Sequence, residues 1–152
     1  MIYQISADQP GFRTVRLEPG FNIILADRTA QSKAKDSRNG LGKSTIIQII
    51  HFCLGGDGKA LERPELANWA FSLDLDLLGS RVHITRRVGE SSKIVNIEGD
   101  TSNWPIKPKR ETVFSEPSLA ISDWNAVLGQ LMFGLPAKER EINAPAFRAL
   151  IP

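Results

Sequence analysis

The run Asn39-Gly40-Leu41-Gly42-Lys43-Ser44-Thr45 limits what this chain can fold into more than any other feature. It follows an apolar stretch, Phe21 to Ala26, and opens an isoleucine-rich segment that runs to Leu54. Strand, glycine turn and helix, in that order, form a loop that cradles phosphate. Gly40 and Gly42 let the backbone turn tightly with no side chain in the way. The amides that open the helix point at the anion, and the helix dipole favours it. Lys43 supplies positive charge for the β- and γ-phosphates, Ser44 a hydroxyl for Mg2+, and Thr45 a hydroxyl within reach of the α-phosphate. The longer form of this pattern has a glycine where the chain carries Ser37. The plainer reading of the same residues is a glycine-rich turn before a helix that happens to begin Lys-Ser.

The chain has 152 residues, enough for one domain. A net charge of +2 is too small to argue for nucleic acid by itself. One cysteine, Cys53, excludes an internal disulfide, and its apolar surroundings point to a packing thiol rather than a nucleophile. No stretch is long and apolar enough to span a membrane, and the N-terminus lacks a signal-peptide pattern, so a cytoplasmic protein without a membrane partner is expected. His51 and His83 have no companion at metal-ligand spacing.

Ile2 to Ala7 and Phe12 to Leu17 are expected strands, separated by a Gln9-Pro10-Gly11 turn. Phe21 to Ala26 is apolar at nearly every position, which suits a strand covered on both faces. Residues 27–38 form a polar insert with Arg28, Lys33, Lys35 and Arg38, read as a mobile loop: a lid over the phosphate site or a solvated charged stretch. The helix from Lys43 to Leu54 is apolar nearly all round, so burial under a sheet is expected, with Gly55-Gly56 as a left-handed stop. Phe71 to Leu77 alternates strictly, Gly79-Ser80 fits a hairpin turn, and Val82 to Val88 and Lys93 to Glu98 continue an antiparallel meander over about 71–98. Thr101 to Pro117 reads as loop. Its Lys107, Lys109 and Arg110 suit a solvated basic loop better than a DNA contact. Ser122 is placed as the cap of a helix to Phe133, with Trp124, Val127, Leu128, Leu131 and Met132 as its core stripe, ended by Gly134 and Pro136. A further helix starts at Asn143-Ala144-Pro145. Its apolar face stops abruptly at Pro152, which points to missing sequence or a covering partner.

A P-loop hydrolase also needs an acidic pair after an apolar strand, to help hold Mg2+ and to polarise water. The nearest stretch, Leu119 to Asp123, is poor, and Asp123 is more simply a first-turn helix acid. The phosphate cradle therefore stands without its hydrolytic apparatus.

The order of elements resembles the N-terminal half of the ATP-binding head of SMC-like, ABC-type ATPases. Phe12-Arg13 looks like that family's turn between its first two strands. Glu18-Pro19-Gly20-Phe21-Asn22-Ile23-Ile24 looks like its third strand, and Asn39 to Thr45 matches its Walker A motif. Ala26 to Thr29, Ser37 to Thr45 and His51 to Gly55 are similar to a bacterial SMC-like subgroup, some of whose members belong to ABC-type three-component systems with a suspected defence role. The likeness covers residues 1 to 56 well and the remainder weakly.

The resemblance implies an α/β fold: the N-terminal lobe of a P-loop head with a mixed sheet, an antiparallel meander, a P-loop helix, and helices over 122–152 that lead toward a missing coiled coil. It implies ATP and Mg2+ as cofactors, with Arg13, Asn39, Gly40, Leu41, Gly42, Lys43, Ser44 and Thr45 around the nucleotide, Lys43 as the catalytic contact and Ser44 as the metal contact. The implied partners are the C-terminal half of the head, a second head in a dimer, DNA, and companion subunits. ATP hydrolysis is expected only once the other half is present. Gln130 stands where a glutamine loop is sought but lies inside a helical pattern. The 27–38 insert departs from most such heads. Two other readings of the same motif are a nucleotide sensor that does not hydrolyse, and a P-loop kinase or GTPase. The meander and the lack of an Asn-Lys-x-Asp motif argue against the latter pair.

Overall fold

The computed structural model describes residues 1–24 and 43–136. The 27–38 insert, Leu25 and Ala26, the glycine run Asn39 to Gly42 and the helix expected from Asn143 lie outside them. The described residues form an α/β structure. Strands β1 (Ile2–Ala7), β2 (Val15–Arg16), β3 (Ala70–Leu77), β4 (Ser80–Arg87), β5 (Ile94–Gly99) and β6 (Ser118–Ala120) make one six-stranded sheet. Helices α1 (Lys43–Cys53) and α2 (Ile121–Phe133) pack on one of its faces.

The sheet order is β2-β1-β3-β4-β5-β6 and each of these pairings is antiparallel. The expected mixed sheet is therefore not what these residues build. A parallel member would have come from Phe21 to Ala26, and residues 21–24 lie outside the sheet. Phe21 is 91% exposed and Ile23 67%, the reverse of a strand covered on both faces. The second strand is also shorter than expected, because Phe12 leaves the ladder to pack edge-on against Phe71, ring centroids 5.9 Å apart.

The period of two is followed closely in the meander. Phe71, Leu73, Leu75 and Leu77 of β3 stand opposite Arg86, Ile84, Val82 and Ser80 of β4, and Val95 and Ile97 of β5 continue two of these rows. All the apolar members are buried on the helix side. Ser72, Asp74, Asp76, His83, Thr85, Arg87 and Asn96 fall on the other face by the same alternation. There the half-buried pairs hold one another. Ser72 and Thr85 hydroxyls lie 2.8 Å apart, and His83 Nδ1 is 2.6 Å from Asp74 Oδ1.

The helices meet the core along part of their length only. In α1, Ile49, Phe52 and Cys53 are buried while Ile47 is 70% exposed, so a helix apolar all round is covered chiefly toward its C-terminal end. In α2, Trp124, Val127 and Leu128 are buried as the stripe predicts. Met132 is half exposed. Ser122 is not the cap: Ala120 holds that position with no side-chain hydrogen bond, because β6 runs straight into the helix. Asp123 lies in the first turn, as its charge favours. The 101–117 segment is a loop, yet it buries Trp104 against Trp124, centroids 5.7 Å apart.

The β3–β4 hairpin turns on Leu78 and Gly79, one residue earlier than expected, and both have positive φ (51° and 84°). Asp76 Oδ1 accepts the Gly79 N–H at 2.9 Å. Such two-residue turns favour Asn-Gly, and a leucine in the left-handed region costs about 1 kcal/mol or more. Leu78 is also exposed, so nothing in packing compensates. Leu78→Asn is expected to raise the unfolding free energy by about 0.5–1 kcal/mol, measured by urea denaturation; an unchanged or lower value contradicts this account of the turn.

Candidate functional site

The candidate phosphate site is the start of α1. The helix begins at Lys43, so Lys43, Ser44 and Thr45 form its first turn and no acidic residue accompanies them there. Ser44 is exposed and Thr45 half-buried. Arg13 is exposed, in the connection between β1 and β2. Asn39, Gly40, Leu41 and Gly42 lie outside the described residues. Among the described residues no group of three His, Cys, Asp or Glu side chains could hold a metal ion. Gln130 lies exposed in α2.

The other end of α1 is fixed in unusual detail. Gly55, at φ +104°, and Gly56 close the helix with bonds from Gly55 N–H to the Phe52 carbonyl (3.0 Å) and from Gly56 N–H to the His51 carbonyl (2.9 Å). This is the six-to-one, five-to-two pattern of a glycine C-cap. A side chain at position 55 would collide with Asn125, whose Oδ1 would lie 1.8 Å from the added carbon. Trp124 Nε1 donates to the Cys53 carbonyl at 3.0 Å, which ties α2 to the same helix end.

Arg86 completes the closure from the sheet. Its strand position places it in the apolar row with Val82 and Ile84, and it is only 4% exposed. Nη1 donates to the Phe52 carbonyl and, at 2.7 Å, to the Gly56 carbonyl. Nε donates to the Ser92 carbonyl at 2.5 Å. The guanidinium also stacks on the Phe52 ring, 4.0 Å from its centroid. Burial pulls its pKa down to about 10, opposed by Cys53 and Asp57, so it remains charged at neutral pH. A cation on orphan carbonyls at a helix C-terminus is favoured by the dipole. Cys53 sits beneath, its thiol 3.6 Å from the Phe71 carbonyl, and burial pushes its pKa up to about 12 against the pull of Arg86. The packing role expected for Cys53 holds.

Sequence reasoning did not single out Arg86. The signal was present: within Val82 to Val88 it shares the parity of three apolar residues. The basic trio of the 101–117 loop is partly engaged within the loop: Lys107 Nζ donates to the Thr101 carbonyl at 2.9 Å and to Ser102, and Arg110 to the Ser115 carbonyl at 3.2 Å. Among the described residues no helix is long and apolar enough to cross a membrane. Comparison with protein-family models, curated proteins and solved structures returns no match for this chain.

The closure makes two predictions. Arg86→Met should lower the unfolding free energy by about 3 kcal/mol, since it takes the charged donor from the buried Gly56 carbonyl and breaks the bonds to the Phe52 and Ser92 carbonyls, with Arg86→Lys losing less; denaturant midpoints compare them, and a loss below about 0.5 kcal/mol contradicts the role. Cys53 should resist thiol reagents at pH 8 in the folded protein and react only on the unfolding timescale. Its raised pKa means that its contribution to stability is full below pH 9 and lost as pH rises toward 12, because the unfolded chain releases that proton first. The excess fall of wild type over Cys53→Ala across that window measures it.

Proposed function

We propose that this chain is the N-terminal lobe of an SMC-like nucleotide-binding head that holds the triphosphate of ATP at the start of α1. The observation that carries the reading is the helix start itself. α1 begins one residue after Gly42, so Lys-Ser-Thr is its first turn, free of acidic residues, while its far end is bound to β4 and α2. A helix anchored in this way presents its amides and its positive dipole end in a fixed place. Lys43 supplies charge to the phosphates, Ser44 meets Mg2+, and Arg13 approaches from the β1–β2 connection. Mg2+ neutralises phosphate charge when bound.

Two further features favour a lobe that needs its counterpart. The acidic pair for hydrolysis has no equivalent in the sequence. Phe21, Ile23 and Ile24, apolar and β-prone, are exposed, and so is Ile47 of α1. A strand of the C-terminal half would cover them and supply the missing acids. Binding would then drive engagement with a second head, and hydrolysis its release, with DNA as the substrate that the pair clamps in the cytoplasm and with companion subunits of a multi-component system around it.

The decisive experiment is equilibrium binding of Mg2+–ATP to the whole chain. Saturable binding is expected, with Lys43→Ala weakening it at least about tenfold, which is 1.4 kcal/mol. Turnover should be absent until a C-terminal half is supplied. Equal binding by Lys43→Ala, or no binding at all, would discard the proposal.

A further inference from the structure

The loop that joins β5 to β6 ends in a turn whose chemistry is inverted. Corners of tight turns usually carry Gly, Asn, Asp or Pro. Here the two corner residues are Val113 and Phe114, 85% and 98% exposed. The turn around them is firmly made. Ser115 N–H donates to the Thr112 carbonyl at 3.2 Å, and Thr112 N–H donates to the Ser115 hydroxyl at 2.9 Å. That hydroxyl in turn donates to the Thr112 carbonyl at 3.0 Å. The base of the loop is closed by two bonds of 2.9 Å between the backbones of Lys109 and Ser118. An apolar pair is thus held in water on a preorganised support, and little ordering entropy remains to be lost when it is covered.

Beside the knob lies a hollow of about 380 Å³ on the open face of the sheet. Phe114 forms one wall, with Ile94, Asn96 and Ser118 around it and Glu111 and Glu116 at the rim. Ile94 is itself 44% exposed, and Glu116 is held by Asn96 Nδ2 at 2.8 Å. The same small surface therefore carries a projecting apolar pair, a recess with an apolar wall, the acids Glu111 and Glu116, and the exposed bases Lys109 and Arg110. Knob beside hollow and both signs of charge on one patch are what a two-fold interface requires, since each residue must meet its complement on an identical surface.

We propose that this surface pairs with a second copy of the chain, Phe114 of each copy seated against Ile94 and Phe114 of the other, with Lys109 and Arg110 facing the partner's acids. The pairing needs no nucleotide and lies on the opposite side of the sheet from α1, so it is separate from the ATP-dependent engagement proposed above. The patch holds fewer residues than the roughly 20–30 a side of a standard interface, so a weak dimer with Kd above about 1 µM is expected.

Sedimentation equilibrium of the whole chain without nucleotide, from about 1 µM to 1 mM, tests it. A monomer–dimer equilibrium is expected, with Phe114→Asp raising Kd more than about tenfold and Ile47→Asp leaving it unchanged. Phe114 is almost fully exposed, so the variant should melt as wild type does. A chain that stays monomeric throughout overturns the proposal. So does a dimer that survives Phe114→Asp, including one that is dissolved by Ile47→Asp instead.

Discussion

The guanidinium of Arg86 ties the sheet to the C-terminal end of the helix that carries the candidate site. Arg86 lies in the core row of β4, and its hydrogen bonds end on the carbonyls of Phe52, Gly56 and Ser92. A buried cation is costly unless every donor finds a partner. Here two of the partners, the Phe52 and Gly56 carbonyls, lie at a helix end, where carbonyls are costly when buried and unpaired. Each defect removes the other. Trp124 donates to the Cys53 carbonyl and Gly56 N–H to the His51 carbonyl of the same end, so β4, α1 and α2 converge on one point.

This arrangement makes α1 asymmetric. Its last turn is buried, bonded and continuous with the core, while its first turn carries exposed Ser44 and half-buried Thr45. Its fixed end therefore lies in the protein interior, and its positive dipole end lies at the first turn. The opposite face of the sheet is a different surface, built of cross-strand polar pairs such as Ser72–Thr85 and Asp74–His83, and it borders the Val113–Phe114 knob. The two faces of the sheet are therefore chemically distinct.

Most of the sheet was legible from period-two alternation. β3 and β4 bury the residues their parity assigns, and α2 buries Trp124, Val127 and Leu128 as its spacing assigns. The failures have physical causes. Phe21 to Ala26 reads as a two-sided buried strand, but a strand needs neighbours, and its described residues, 21–24, have none in this sheet. Ser122 reads as a cap, but the ladder of β6 carries the backbone into the helix two residues earlier. Leu78 occupies a turn position that leucine disfavours, so the hairpin was placed one residue late. For the site, the Lys-Ser-Thr first turn was legible; the burial of Arg86 was signalled by its parity with Val82, Ile84 and Val88, but its partners at the end of α1 were not.

What the sequence determined by itself is local: alternation fixed which strand residues face the core, glycines at 55 and 134 fixed where the helices end, and Lys43-Ser44-Thr45 fixed where α1 begins. These follow from steric and periodic rules that act within a few residues. Only the tertiary structure decided that Arg86 would close α1, that Trp104 would leave its loop for Trp124, and that Phe21 to Ile24 would stand uncovered. Those outcomes depend on which groups from distant parts of the chain arrive beside an unpaired carbonyl or an open apolar surface, and no local pattern encodes that meeting.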